Sequence, residues 1–271
     1  MMVVKKLSNE VELYKKAYDK FWGFCHEKEF EFCRMEDYAL YTRNKEIGYW
    51  YDSLEIDFTR EILNLVNQFS STTNKIIIWN EVYSSYTEEK DRFNLLMEFI
   101  KYPVYYCLHQ PHAIQQKIIY SSIHLCNQAD VAINGAVDYI PKIKDKNGNS
   151  TLHDAINIQT LKKMSKKWDD SCKLVKCLKK LPSEKFIKGT QDYRNLAQHK
   201  IPPYIEYGHT NFIERVTNSR ESDSARYAIG GLLPLQLKLL IPILKSEYEN
   251  CKNSLSLYWN LVKKHEEFSL D

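Results

Sequence analysis

The stretch QDYRNLAQHKIPP, residues 191 to 203, sets an arginine and a histidine five positions apart, immediately before a double proline. Pro202 and Pro203 cannot donate backbone hydrogen bonds and push Ile201 out of the α region, so a helix arriving from about Ser183 is expected to stop at His199. On such a helix Asn195 and His199 are i and i+4 and share a face. Arg194 lies about 140° round from the histidine at ~100° per residue. His199 falls in the last turn, where the negative end of the helix dipole favours an imidazolium.

Outward from this stretch the chain reads as mostly helical. Only 8 Gly and 8 Pro in 271 residues leave little material for the turns of an all-β protein. Residues 8 to 35 are helix-compatible, and Leu54, Ile56, Phe58, Ile62, Leu63, Leu65 and Val66 have amphipathic helical spacing. NKIIIWNEV (74 to 82) reads equally as a buried strand or as helix. Helices are expected from Lys90 to Ile100 and from Pro111 to Val137, punctuated at Tyr102-Pro103 and Gln110-Pro111. KIKDKNGNS (142 to 150) reads as a polar loop, with Ser150 as the N-cap of a helix or helix pair reaching Lys180 along Leu161, Met164, Trp168, Val175 and Leu178. The tail from Leu235 to about Phe268 reads as one helix kinked near Pro242. STLHDA (150 to 155) resembles one ankyrin turn, but no repeat recurs at a fixed period.

At 44% hydrophobic and 27% charged residues the chain has a real core to bury. MMVVKKLSNEVELYKK turns charged after four residues, unlike a secretory signal, and a cytoplasmic location is expected. The most apolar window, residues 229 to 244, contains Gln236, Lys238 and two prolines and is too short to span a bilayer; it reads as a buried helix. Seven cysteines, at 25, 33, 107, 126, 172, 177 and 251, include no CxxC pair and fit neither a disulfide framework nor a zinc ribbon. A net charge of +3 does not by itself announce a nucleic-acid partner.

The arginine and the histidine suit one reaction in particular, attack of a ribose 2′-hydroxyl on the neighbouring phosphodiester. Histidine moves the proton, and a planar, permanently charged guanidinium holds the charge of the phosphorane. The nucleophile is already in the substrate, so neither metal nor cofactor is expected. One histidine does not conveniently serve both ends of an in-line displacement. A two-fold homodimer that brings two RNLAQH segments to one cleft supplies the second. The alternative pairs Arg194 with an acid such as Asp192 or Glu206 and leaves His199 as a helix C-terminal cap.

Arg194 to His199, R-N-L-A-Q-H, resembles the R-polar-x3-H signature, a form of Rx4-6H, of the HEPN superfamily. That resemblance implies an all-α, HEPN-like helical bundle over residues 82 to 271, with residues 1 to 81 as an N-terminal helical elaboration. It also implies a dimeric, metal-independent endoribonuclease of the toxin or phage-defence kind, with RNA as substrate and an antitoxin protein as a possible partner. Arg194 and His199 then carry catalysis and Asn195 orients them. The alternative within the resemblance is a non-catalytic module that binds RNA or protein. Members modified by a partner nucleotidyltransferase carry H-x-Y; here Ile201 stands at that place and the next tyrosine is Tyr204.

Residues 161 to 188 hold ten lysines against three acids. Lys162, Lys166, Lys173 and Lys180, together with Arg226 beyond the motif, are candidate RNA contacts, although a solvated outer helix face explains the same lysines. His209, Arg215 and Arg220 belong to the loop-like stretch that reaches Arg226. Cys107, His109, His112, His124 and Cys126 have poor spacing for zinc and are expected to be packing residues. The 19 tyrosines and 5 tryptophans can stack bases or fill a core. No Walker loop, GxGxxG, HExxH or GxSxG occurs.

Overall fold

In the computed structural model, residues 2–27, 34–168, 171–210, 213–216 and 226–269 are described. They are mostly helical, as the sparse glycine and proline anticipate. The chain forms two compact units, one from Met1–Phe32, Thr72–His109 and Glu184–Lys245, the other from Cys33–Ser71, Gln110–Ser183 and Ser246–Asp271.

α1 (Met2–Glu27), α2 (Tyr49–Ser84) and α3 (Glu89–Leu95) come first, followed by a π-helical turn at Leu96–Ile100 and by α4 (Lys101–Asn134). NKIIIWNEV lies inside α2. Ile76, Ile77 and Ile78 are all at most 5% exposed, although three consecutive helical residues point in directions spread over about 200°. This stretch is therefore buried on most sides, which erases the amphipathic period. In the first unit Trp79 of α2 lies between Phe99 (4.1 Å between centroids, planes 1° apart) and Phe21 of α1 (4.7 Å, 26°). Each such pair contributes about 0.5–1.5 kcal/mol beyond its buried area.

The expected breaks at Pro103 and Pro111 are corrected, because α4 runs through both. Pro103 lies just past the π-helical turn, and the helical run from Glu89 continues through it. Pro111 is interior, but Cys107, Leu108, Ile114 and Ile118 around it are at most 1% exposed, and that burial outweighs one lost backbone hydrogen bond.

The loop expected at 142–150 is instead the start of an antiparallel hairpin, β1 (Lys142–Lys144) with β2 (Ser150–Asp154). Asp145 folds its turn, with Oδ1 accepting from the amides of Asn147 (2.9 Å) and Asn149 (2.8 Å), and Gly148 takes the φ of +84° that the turn requires. Ser150 therefore begins a strand. The N-cap of α5 (Ile158–Met164) is Asn157, whose Oδ1 accepts from Gln159 and Thr160. The lysine-rich helix is split: α5 passes into a 3-10 turn at Ser165–Lys167, and α6 (Ser171–Leu178) follows.

The helix expected from Ser183 to His199 is likewise two, α7 (Glu184–Gly189) and α8 (Tyr193–His199). Gln191 and Asp192 adopt positive φ, 53° and 51°, and break the helix between them. Beyond α8, β3 (Ile213–Val216) pairs antiparallel with β4 (Arg226–Ile229), and residues 217–225 of the stretch read as loop lie outside the described residues. α9 (Leu237–Phe268) then contains Pro242. The apolar window 229–244 enters this helix only from Leu237. In the second unit His265 of α9 is 0% exposed, with Nδ1 2.7 Å from the Tyr51 hydroxyl and its ring 4.5 Å from that of Trp168. Among the described residues no helix is long and apolar enough to cross a membrane.

Candidate functional site around α8

α8 carries Arg194, Asn195 and His199, and its placement follows from its ends. Asp192, in the left-handed region, accepts the Leu196 amide through its carbonyl at 3.1 Å and so begins the helix. Lys200, extended, donates its amide to Leu196 O at 2.7 Å and ends it. Tyr193 is the buried anchor, 5% exposed, with its ring stacked on that of Tyr105 (5.6 Å, 26°) and met edge-on by the His109 ring (5.7 Å, 77°). Tyr105 and His109 are i and i+4 on α4, which places both against the same ring.

With Tyr193 buried, the next residue emerges half-buried as Arg194, while Asn195 and His199 are exposed. The Asn195 amide donates to Asp192 Oδ2 at 3.0 Å. Glu206 is used elsewhere: Oε1 accepts the Leu237 amide at the start of α9 (2.5 Å), and Oε2 accepts the Tyr83 hydroxyl (3.4 Å). Both acids offered as partners for Arg194 are thus engaged by other groups, and among the described residues Arg194 forms no ion pair.

His109, expected from the sequence to be a packing residue, does pack on Tyr193 and is also a titratable neighbour of Arg194. Burial lowers its pKa below the usual 6.5, and the positive charge of Arg194 lowers it further. A neutral imidazole and an uncommitted guanidinium therefore stand together in one unit of one chain. The only sequence signal was the i, i+4 spacing of Tyr105 and His109, which lie about ninety residues before the motif and acquire meaning only once Tyr193 packs on them.

Tyr105 also lines a cleft of about 310 Å³ with Tyr204, Tyr207 and Lys101. Such a volume matches small-molecule or single-base occupancy, and aromatic walls with a lysine suit stacking of a base next to a phosphate.

The remaining candidates are distributed. Lys162 on α5 and Lys166 in the 3-10 turn are exposed, and neighbouring Lys167 pairs with Asp130 at 2.7 Å. Lys173 and Lys180 line one cleft in the second unit. Arg226 opens β4, but its side chain lies outside the described part, as do Arg215 and Arg220. Cys107 lies 3.8 Å from Thr73 Oγ1, and His124 packs against the rings of Phe58 and Tyr120. Among the described residues no group of three or more His, Cys, Asp or Glu is placed to hold a metal ion. Comparison with protein-family models, with curated proteins and with solved structures returns no match.

Proposed function

We propose that the chain is a HEPN-like endoribonuclease that cleaves RNA by transphosphorylation without a metal cofactor. The 2′-oxygen attacks phosphorus, its proton passes to an imidazole, and the bond to the 5′-oxygen breaks as a second imidazole protonates the leaving group, giving a 2′,3′-cyclic phosphate and a 5′-hydroxyl. Arg194 stabilises the phosphorane charge. The observation that carries this reading is the half-buried Arg194, without a carboxylate partner among the described residues and beside the depressed imidazole of His109. His109 is a base that is neutral at physiological pH. His199, about 7.5 Å further along α8 at ~1.5 Å per residue, is the acid. A toxin or phage-defence role, with an antitoxin partner, follows from the same resemblance.

Two sources of a second imidazole compete, His109 of the same chain and His199 of a second copy in a homodimer. The lowered pKa of His109 beside Arg194 favours the first. A non-catalytic RNA-binding module is the second reading, favoured by Asn195, whose amide is committed to Asp192 instead of to the arginine or the histidine.

The test is cleavage of a mixed-sequence RNA in the presence of a chelator. His199→Ala is expected to lower the rate by about 10²–10⁴ with RNA binding little changed, and products should end in cyclic phosphate. Activity that survives His199→Ala, or that vanishes in chelator, rejects the mechanism. Binding without cleavage at protein excess selects the second reading.

A further inference from the structure

The second unit contains a groove of about 480 Å³ whose charged lining, among the described residues, is entirely cationic. On one wall Lys173, Lys176 and Lys180 recur at i, i+3 and i+7 along α6 and the turn after it. Residues so spaced lie on one side of a helix. On the other wall α9 presents Asn250, Asn253 and Ser254, at i, i+3 and i+4. The two helices meet at Cys177, whose sulfur lies 3.3 Å from Ser254 Oγ and accepts from Asn253 Nδ2 at 3.4 Å.

The nearby carboxylate is already satisfied. Glu247 is 1% exposed, and its two oxygens accept the Ser183 amide (2.7 Å), the Ser183 hydroxyl (2.5 Å) and Asn250 Nδ2 (3.0 Å). Among the described residues neither Lys176 nor Lys180 forms an ion pair. The ammonium groups of Lys176 and Lys180 repel each other, and among the described residues no acid on the lining offsets this. Asn250 and Asn253 each retain a second amide N–H beyond the one committed to Glu247 or Cys177.

We propose that this groove binds a phosphate-bearing ligand, with Lys176 and Lys180 neutralising the phosphate charge and the Asn250 and Asn253 amides donating to its oxygens. Lysine acts at phosphate as a point charge with three rotatable donors, and several around one site compensate for the absence of an arginine fork. The volume falls in the range of sites for nucleotide-sized ligands. The chemistry is shared by the phosphomonoester of a free nucleotide and the phosphodiester of an RNA strand. The inference does not rest on α8 or on the ribonuclease reading.

Calorimetric titration of the full chain at low salt with orthophosphate, AMP and a short uridine oligonucleotide tests it. Saturable binding is expected for at least one probe, weakened at least about a hundredfold in Lys176→Glu/Lys180→Glu, at about tenfold per reversed charge. Asn253→Asp, which sets a carboxylate in the groove, is expected to weaken the same probe. Binding of AMP and orthophosphate but not the oligonucleotide assigns a free phosphomonoester. Binding of the oligonucleotide alone assigns an RNA strand, and Lys176→Ala/Lys180→Ala then lowers the slope of log K against log salt by about 1.4. Both lysines are exposed, so an unchanged melting curve is the expected control for folding. Failure of all three probes to bind, or the same affinity in the double reversal as in the natural chain, overturns the proposal whether or not the protein cleaves RNA.

Discussion

The ring of His109 stands edge-on to that of Tyr193, 5.7 Å between centroids, and this contact brings an imidazole from α4 to the helix that carries Arg194. Burial and the guanidinium both favour its neutral form. Arg194→Gln removes only the second of these, so the His109 pKa should rise while staying below 6.5, because desolvation is the larger cause. Imidazole C–H resonances followed against pH by NMR, with His109→Gln to assign the signal, read this directly. An unchanged pKa in Arg194→Gln would separate the two groups.

His109→Gln should lower RNA cleavage by about a hundredfold or more, the usual contribution of a positioned base. The acid limb of the pH–rate profile should disappear with it. A base whose pKa is depressed loses activity only when pH falls through that lowered value, so in the natural chain the limb lies below pH 6.5. Mixing Arg194→Ala chains with His199→Ala chains distinguishes the two sources of the second imidazole. Within one chain the groups cannot complement each other, and no activity should return; recovery would mean that the site is shared between copies.

The helical class was legible because it rests on local chemistry: amphipathic spacing around Ile62 and Val66, few glycines, and long apolar faces. The features that escaped were set by distant contacts. Ile76 to Ile78 read ambiguously because burial on most sides leaves no period. Pro111 read as a break because the packing that keeps it inside α4 is invisible in sequence. The break between α7 and α8 uses Gln191 and Asp192 at positive φ, where a rule keyed to glycine finds nothing. Of the candidate site, Arg194, Asn195 and His199 were readable as one six-residue string. His109 and Tyr105 were not, since their role depends on α4 packing against Tyr193.

Gly208 tests how tightly the aromatic cleft is built. Its φ is +95°, and a Cβ there would lie 2.8 Å from Cδ2 of the Tyr204 ring. The ring is rigid and cannot yield as the end of an aliphatic chain does. Gly208→Ala should therefore destabilise the fold by about 1–3 kcal/mol in urea unfolding, combining backbone strain with the clash. Adding Tyr204→Ala should recover the steric part, so the two changes will not be additive. Strict additivity would show that the ring and the glycine are not in conflict.

His265 supplies a test of the second unit that needs no ligand. The ring is 0% exposed, faces Tyr51 through Nδ1 (2.7 Å) and Cys126 Sγ through Nε2 (3.8 Å), and burial lowers its pKa from 6.5 to about 3. Neither neighbour supplies a negative charge at acid pH, because burial raises the pKa of both. The folded chain thus keeps this imidazole neutral where the unfolded chain binds a proton. Stability is present above pH 6.5 and is lost as pH falls towards 3, at up to about 1.4 kcal/mol per pH unit. His109 and His124, also lowered by burial, add a slope of the same sign, so the informative quantity is the difference from His265→Gln. Between pH 6.5 and 4.5, above the range where most carboxylates titrate, the natural chain should lose urea stability more steeply than the variant. Parallel slopes would mean that His265 takes up its proton without leaving the folded state, and that the Tyr51 to His265 contact is open to water.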